Sequence, residues 1–396
     1  MNTNETSQTA FFTKEFTQNP YPVYAKLRES DPVFKVMFPH GEFGWIITRY
    51  EDAVEVLKDQ RFSKDVAKRY GPENQTVFVN NMLFSDPPDH RRLRGLVQKA
   101  FTPKLIADMR SHIQDIADDL LNNIGSRDKM NLIDEYAFPL PIIVISEILG
   151  VPLEDQDKFR VWSNSIIDAS SSDHAEMFEQ HAKEFTEYLT DWFAKVRENP
   201  GTDLISQLVT AEESGQQLSE NELLGVVSLL IIAGHETTVN LIGNGVLALL
   251  EHPEQRDLLI QKPELIHNAI EEMLRYNGPV EFSTSRWALE DVEFRGQSIA
   301  KGELVIVALD SANRDADKFQ DADIFDITRD KSSHLAFGKG IHLCLGAPLA
   351  RLEGEIAINT LLARYPEIQL QTDVNELEWR PGMIVRGVKE IPVQLK

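Results

Sequence analysis

The segment Phe337-Gly338-Lys339-Gly340-Ile341-His342-Leu343-Cys344-Leu345-Gly346-Ala347-Pro348-Leu349-Ala350 constrains this chain more than any other. Three glycines permit tight backbone turns and the close approach of something large and flat. A helix is predicted to begin around Gly346, with Pro348 at an early helical position. Its N-terminus directs N–H groups and partial positive charge at the Cys344 sulfur, which lowers the pKa and favours thiolate. A lone cysteine is otherwise a small buried hydrophobe; the glycine spacing and the helix start oppose that here. Cys344 is the one cysteine in 396 residues, so an intrachain disulfide and a multi-cysteine zinc or iron–sulfur site are excluded.

The most apolar stretch, Leu223 to Leu250, is interrupted by Gly234, His235, Glu236, Thr237, Thr238 and Asn240. A membrane span does not carry such a cluster without strong reason. Met1 to Thr9 is polar and lacks Lys and Arg, so it does not read as a signal peptide. A cytoplasmic protein with no membrane association is expected. Ser219 and Glu222 fit a capping box for one long helix, Glu220–Leu250, whose polar centre is either satisfied by neighbours in a kinked core helix or functional. The net charge of -23 argues against nucleic acid as a partner and favours solubility. Local basic residues nonetheless cluster at Arg91, Arg92, Arg94 and Lys99.

No repeat, low-complexity segment or Gly/Ser linker divides the chain, so residues 1–396 are expected to fold as one mainly α domain. Spacing near 3.6 predicts helices over Pro20–Ser30, Tyr50–Lys58, Asp89–Ala100, Pro103–Ile124, Pro139–Leu149, Glu154–Asp168, His174–Glu198, Asp203–Val209, Pro263–Tyr276 and Ala347–Tyr365, besides the long one. Segments rich in β-branched residues, Val33–Thr48, Phe282–Phe294 and Leu304–Leu309, predict strands, and Trp379–Lys396 a closing hairpin.

Phe337, Gly340, His342, Cys344, Gly346, Leu349 and Ala350 match in register the haem-binding pattern Phe-x-x-Gly-x-Arg/His-x-Cys-x-Gly-x-x-Leu-Ala. The chain therefore resembles the cytochrome P-450 family. Ala233-Gly234-His235-Glu236-Thr237-Thr238 is similar to its oxygen-binding kink in the long central helix, and Glu272-Met273-Leu274-Arg275 to its Glu-x-x-Arg pair, with Arg329 as third member. The order and spacing cover essentially the whole chain, in the manner of bacterial members acting on macrolides and other secondary metabolites. The resemblance implies that fold, a large helical body with a long central helix and a small β-rich region. It also implies a haem b whose iron is held by Cys344, with the amides near Gly346 tuning the sulfur. Gly338 and Gly340 would let the loop pass against the porphyrin, with Phe337 packed on the ring. His90, Arg94, Arg286 and His342 stand at the family's propionate-binding positions. Glu236 and Thr237 resemble its acid–alcohol pair, which manages protons during O2 activation, with Ala233 and Gly234 against the cofactor; many relatives carry Asp where this chain has Glu236.

By the same resemblance an apolar small-molecule substrate is lined by Met82, Leu83, Phe84, Ile232, Ala233, Val280 and Ile384, each of which could equally be core. No Gly-x-Gly-x-x-Gly follows a strand, so electrons from NAD(P)H should arrive through a separate ferredoxin or flavodoxin with its reductase. Arg91, Arg92, Lys99, Lys339 and Arg351 would form the docking face, and a monomer is expected. The implied activity is a monooxygenase; a thiolate-haem peroxygenase using hydrogen peroxide is the alternative, opposed by the acid–alcohol pair. A haem-based sensor would keep Cys344 without needing that pair.

Overall fold

The computed structural model describes residues 11–396 except 39–40, 72–75, 156–157, 160, 163–164, 166–174, 211, 214–215 and 331–332. Its axis is a continuous helix, Glu220–Glu251, capped as expected: Ser219 Oγ accepts from the Glu222 amide and the Glu222 carboxylate accepts from the Ser219 amide. This helix is apolar on nearly every side and long enough to cross a bilayer, but most of its apolar stretch is buried inside the fold. It is not broken at its polar centre. Thr237, Thr238 and Asn240 each donate to the carbonyl four residues back, at 2.9, 3.2 and 2.9 Å. Their side chains are thereby satisfied within the helix.

Around this axis pack the helices Arg110–Ile124, Pro139–Leu149, Ala175–Glu198, Ile266–Tyr276 and Ala347–Arg364, sharing the largest apolar core. A five-stranded sheet lies to one side in the order Val33–Met37, Phe43–Ile47, Leu304–Val307, Arg286–Ala288, Phe62–Ser63. Phe43–Ile47 and Leu304–Val307 run parallel, and the other neighbours antiparallel. One face covers Tyr50, Val56 and Leu57 of the helix Tyr50–Lys58, and the other meets Phe16, Tyr24 and Leu27 near the N-terminus.

Several expected elements divide. Val33–Thr48 is two strands, and Phe282–Phe294 contains the short strands Arg286–Ala288 and Val292–Phe294. Pro103–Ile124 breaks at Met109, where ψ of -14° tightens the turn and the amide bonds Ile106 as well as Leu105. Pro263–Leu265 is a 3-10 turn before Ile266–Tyr276, and Pro253–Gln261 is a further helix that the sequence reading lacked. Much of Glu154–Asp168, and His174, lie outside the described residues. The closing hairpin is only partial: Trp379 bridges Val388, while Pro392–Gln394 pairs instead with Lys129–Asn131 and Gln369–Leu370.

Candidate active site

The cysteine loop is held by its own backbone. Gly338 N donates to Leu335 O at 2.7 Å and Cys344 N to Phe337 O at 3.0 Å, around a 3-10 turn at Gly340–His342. Gly338 and Gly340 have φ of 72° and 78°, a region that favours glycine. Gly340 answers to a protein neighbour as well, since a Cβ there would stand 3.0 Å from Leu57 O. The helix begins at Ala347 with Gly346 as its cap. Cys344 is exposed in surface terms, yet protein surrounds it closely enough for burial to push its thiol up. A side chain both accessible and hemmed in faces an interior cleft. The amides of Gly346 and Ala347, Arg94 and Arg351 all pull the other way, but burial outweighs them. The expected pull of the helix N-terminus is present in the Gly346 and Ala347 amides, and burial opposes it.

Five basic side chains converge beside this loop. His90 and His342 meet edge to face with ring centroids 4.4 Å apart. Arg94 donates to Leu343 O at 2.8 Å. Arg286 and Lys64 are 4% and 2% exposed. Lys64, which the sequence reading missed, donates to Thr284 Oγ1. The sequence Phe62-Ser63-Lys64 offers no signal that this lysine is buried. Both ring nitrogens of His90, Nε2 of His342 and Nε of Arg286 are buried without a hydrogen-bond partner. Burial first, and then mutual repulsion, holds His90 down to about 4 and His342 to about 2. Arg286 is lowered to about 10, chiefly by burial. Buried donors left unpaired are costly, so a cluster of this composition suits an anion, and two carboxylates would satisfy it.

The central helix presents one open face in an otherwise buried length. Ala233 is exposed, and Ile232, Gly234 and Thr237 are half-buried, between Ile231 and Val239, which are fully packed. Glu236 and Thr237 part company. Thr237 Oγ1 donates to Ala233 O, whereas Glu236, 1% exposed, pairs with Arg380 at 3.2 Å and lies 3.8 Å from His235 Nε2. Arg380 reaches it because Arg380 N bonds Gly387 O at 2.9 Å and Gly387 presses directly against the Asn240 side chain. Nothing in the sequence near Arg380 points to Glu236, 144 positions away.

Glu272, Arg275 and Arg329 do come together. Arg275 donates twice to the Glu272 carboxylate, both at 2.7 Å, and Arg329 Nε adds bonds of 3.2 and 3.1 Å. The remaining guanidinium donors bond the carbonyls of Asn313, Gln320, Asp321, Ala322 and Ile324.

Among the expected pocket residues, Leu83, Phe84, Ile232 and Val280 are half-buried and Ile384 is 42% exposed, beside Val385, which bridges Val280. Met82 belongs instead to the main core, 6% exposed. The expected docking-face residues divide. Arg91, Lys99 and Lys339 are exposed, but Arg92 is committed to Glu222, and Arg351 bonds Glu271 at 2.6 and 3.0 Å while lying 4.5 Å over the Phe337 ring. Arg351 thus buttresses the cysteine loop.

A family model described as Cytochrome P450 matches residues 9–149, 156–262 and 258–395. A Bacillus subtilis (strain 168) protein named Cytochrome P450 is 47% identical over 389 residues, 96% of this chain and 95% of that one. The solved structure of the Bacillus subtilis 168 bacillaene polyketide synthase cytochrome P450 PksS superposes with a TM-score of 0.93 at 42% identity, covering 97% and 99% of the two chains. The myxobacterial cytochrome P450 CYP267B1 in complex with myristic acid gives 0.92 at 41% identity, covering 97% and 98%. With likeness of this extent in both sequence and fold, and with the Cys344 loop in the register that defines the group, the chain belongs to the cytochrome P450 family.

Proposed function

We propose that this chain holds a haem b between the Cys344 loop and the open face of the central helix, and oxidises an apolar small molecule with one atom of O2. The observation that carries this reading is the cluster of Lys64, His90, Arg94, Arg286 and His342, whose unpaired buried donors stand beside Cys344 and match two propionates. When bound, the haem supplies the oxygen-activating chemistry.

The protein's share is binding, orientation and proton handling. Cys344 Sγ ligates through its thiolate, held by the amides of Gly346 and Ala347. Phe337, with Arg351 stacked on it, backs the loop. Thr237 Oγ1 spends its proton on Ala233 O, which leaves its lone pairs to accept from a water on the open face. Glu236 Oε2 is the relay carboxylate. Arg380 pairs with it at 3.2 Å and links it towards solvent, since the arginine side chain is 29% exposed. Leu83, Phe84, Ile232, Ala233, Val280 and Ile384 form the apolar wall for the substrate. PksS is named for polyketide biosynthesis and CYP267B1 was solved with a fatty acid, so a polyketide-like or fatty-acyl substrate is the class to test first. Electrons come from NAD(P)H through a separate ferredoxin or flavodoxin that approaches near Arg91 and Lys339, in the cytoplasm.

The deciding experiment is the reduced carbon-monoxide spectrum of the purified haem-loaded protein, which depends on thiolate ligation. Wild type should show the thiolate band and Cys344→Ser should lose it. A wild type without that band sinks the reading.

A further inference from the structure

Between two 3-10 turns, Val77–Val79 and Met82–Phe84, the chain lies directly on the first turns of the central helix. The contact is backbone against backbone. A Cβ on Gly225 would stand 2.4 Å from Asn80 O, 2.7 Å from Val77 O and 2.8 Å from Asn80 C. These are carbonyl groups, which cannot rotate aside as a flexible side chain would, so the close approach requires glycine. Asn81 then fastens the contact. It is 1% exposed; its Nδ2 donates to Phe78 O at 2.8 Å and to Gly225 O at 3.3 Å, and its Oδ1 accepts from Leu83 N at 2.9 Å. One side chain thereby ties the helix to both turns. On the far side Phe78 stacks on Phe185 of the helix Ala175–Glu198, with centroids 6.3 Å apart and planes 9° from parallel.

Both clamped partners lead into the pocket wall. Leu83 and Phe84 follow Asn81 after Met82, and Ile232 and Ala233 lie about two helical turns beyond Gly225. The spacing between the loop wall and the open helix face is set where the two are clamped. We propose that the Asn81–Gly225 clasp sets the width of the substrate pocket, making Asn81 and Gly225 positioning residues for ligand size. The inference rests on the pocket assigned above, and it concerns residues that touch neither the cofactor site nor the reacting groups.

Two azole probes that ligate haem iron and differ in bulk, imidazole and clotrimazole, test it on the haem-loaded enzyme by stopped-flow absorbance. In Asn81→Ala and Gly225→Ala, clotrimazole association and dissociation should each accelerate by about tenfold or more, with imidazole kinetics within roughly twofold of wild type. Hydrogen exchange of the amides in 77–85 should quicken in parallel. Asn81→Asp keeps the acceptor for Leu83 N and loses both donors, so it should behave like Asn81→Ala; it also replaces Gly225→Ala should that variant not fold. Equal changes for both azoles overturn the proposal, because they report general damage to the haem site. Unchanged clotrimazole kinetics with accelerated exchange overturn it too, because the clasp would then hold a loop that ligands do not pass. A wild type that shifts with neither azole breaks the haem reading itself, which separates that failure from failure of the clasp.

Discussion

Two of the clusters of buried charge among the described residues are built on opposite principles. In the Glu272–Arg275–Arg329 group the carboxylate and both guanidinium groups are bonded to one another or to backbone carbonyls, so the group is complete within the protein. The group around His90 and His342 gathers five basic side chains with Asp86 as its nearby carboxylate, and several of its donors are unpaired. Buried charge is tolerated only when it is paired and hydrogen-bonded. The first cluster meets that condition alone and is structural: it braces the segment Asn313–Arg329 that leads to the cysteine loop. The second leaves several of its donors unpaired, as the proposed anion site requires. Between these two clusters, the difference lies in unpaired polar groups rather than in burial or charge as such.

The contrast can be broken by substitution. The largest effect belongs to the closed cluster. Glu272→Gln leaves the buried Arg275 and the partly exposed Arg329 without their anion and should cost about 3–5 kcal/mol in urea unfolding of the haem-free protein. A loss below about 1 kcal/mol would erase the distinction. In the open cluster the order reverses. Arg286→Leu removes a repelling charge, so the haem-free protein should be as stable as wild type or more so, while haem dissociates roughly tenfold faster, measured by transfer to apomyoglobin.

His90 gives a smaller effect, resolved by pH. Its folded pKa is depressed to about 4 against 6.5 unfolded, so between these values the unfolded chain binds more protons. Stability of the haem-free protein should therefore rise with pH across that window and fall away on acidification. His90→Phe should flatten the slope, and an unchanged slope would show that His90 is not held neutral. The smallest effect concerns Arg92, whose ion pair with Glu222 is partly exposed: Arg92→Ala should cost at most about 1 kcal/mol and leave reduction by a ferredoxin unchanged. Arg91→Glu combined with Lys339→Glu should slow that reduction severalfold.

Much of this is legible in the chain alone. The long central helix announces itself through its capping box, and the cysteine loop through glycines whose positive φ values are a local demand. Local signals fail where the deciding partner is remote. Lys64 lies beside a short strand that nothing distinguishes from a solvated edge, and only folding brings it to Arg286 and His342, more than 200 positions on. Arg92 and Arg351 read as free basic residues because Glu222 and Glu271 are adjacent only in space. Glu236 and Thr237, neighbours in sequence, have different partners because successive helical residues point about 100° apart.

By itself, the sequence determined the family, the cysteine loop and the helical frame, since periodicity, caps and glycine turns are short-range properties of the backbone. Only the tertiary structure decided which charges are satisfied and which wait for a partner. It also decided that Arg380 holds Glu236 and that Asn81 fastens the turns at Val77–Val79 and Met82–Phe84 to Gly225. Whether a polar group is paired depends on distances between distant parts of the chain, and those distances exist only once the core has closed.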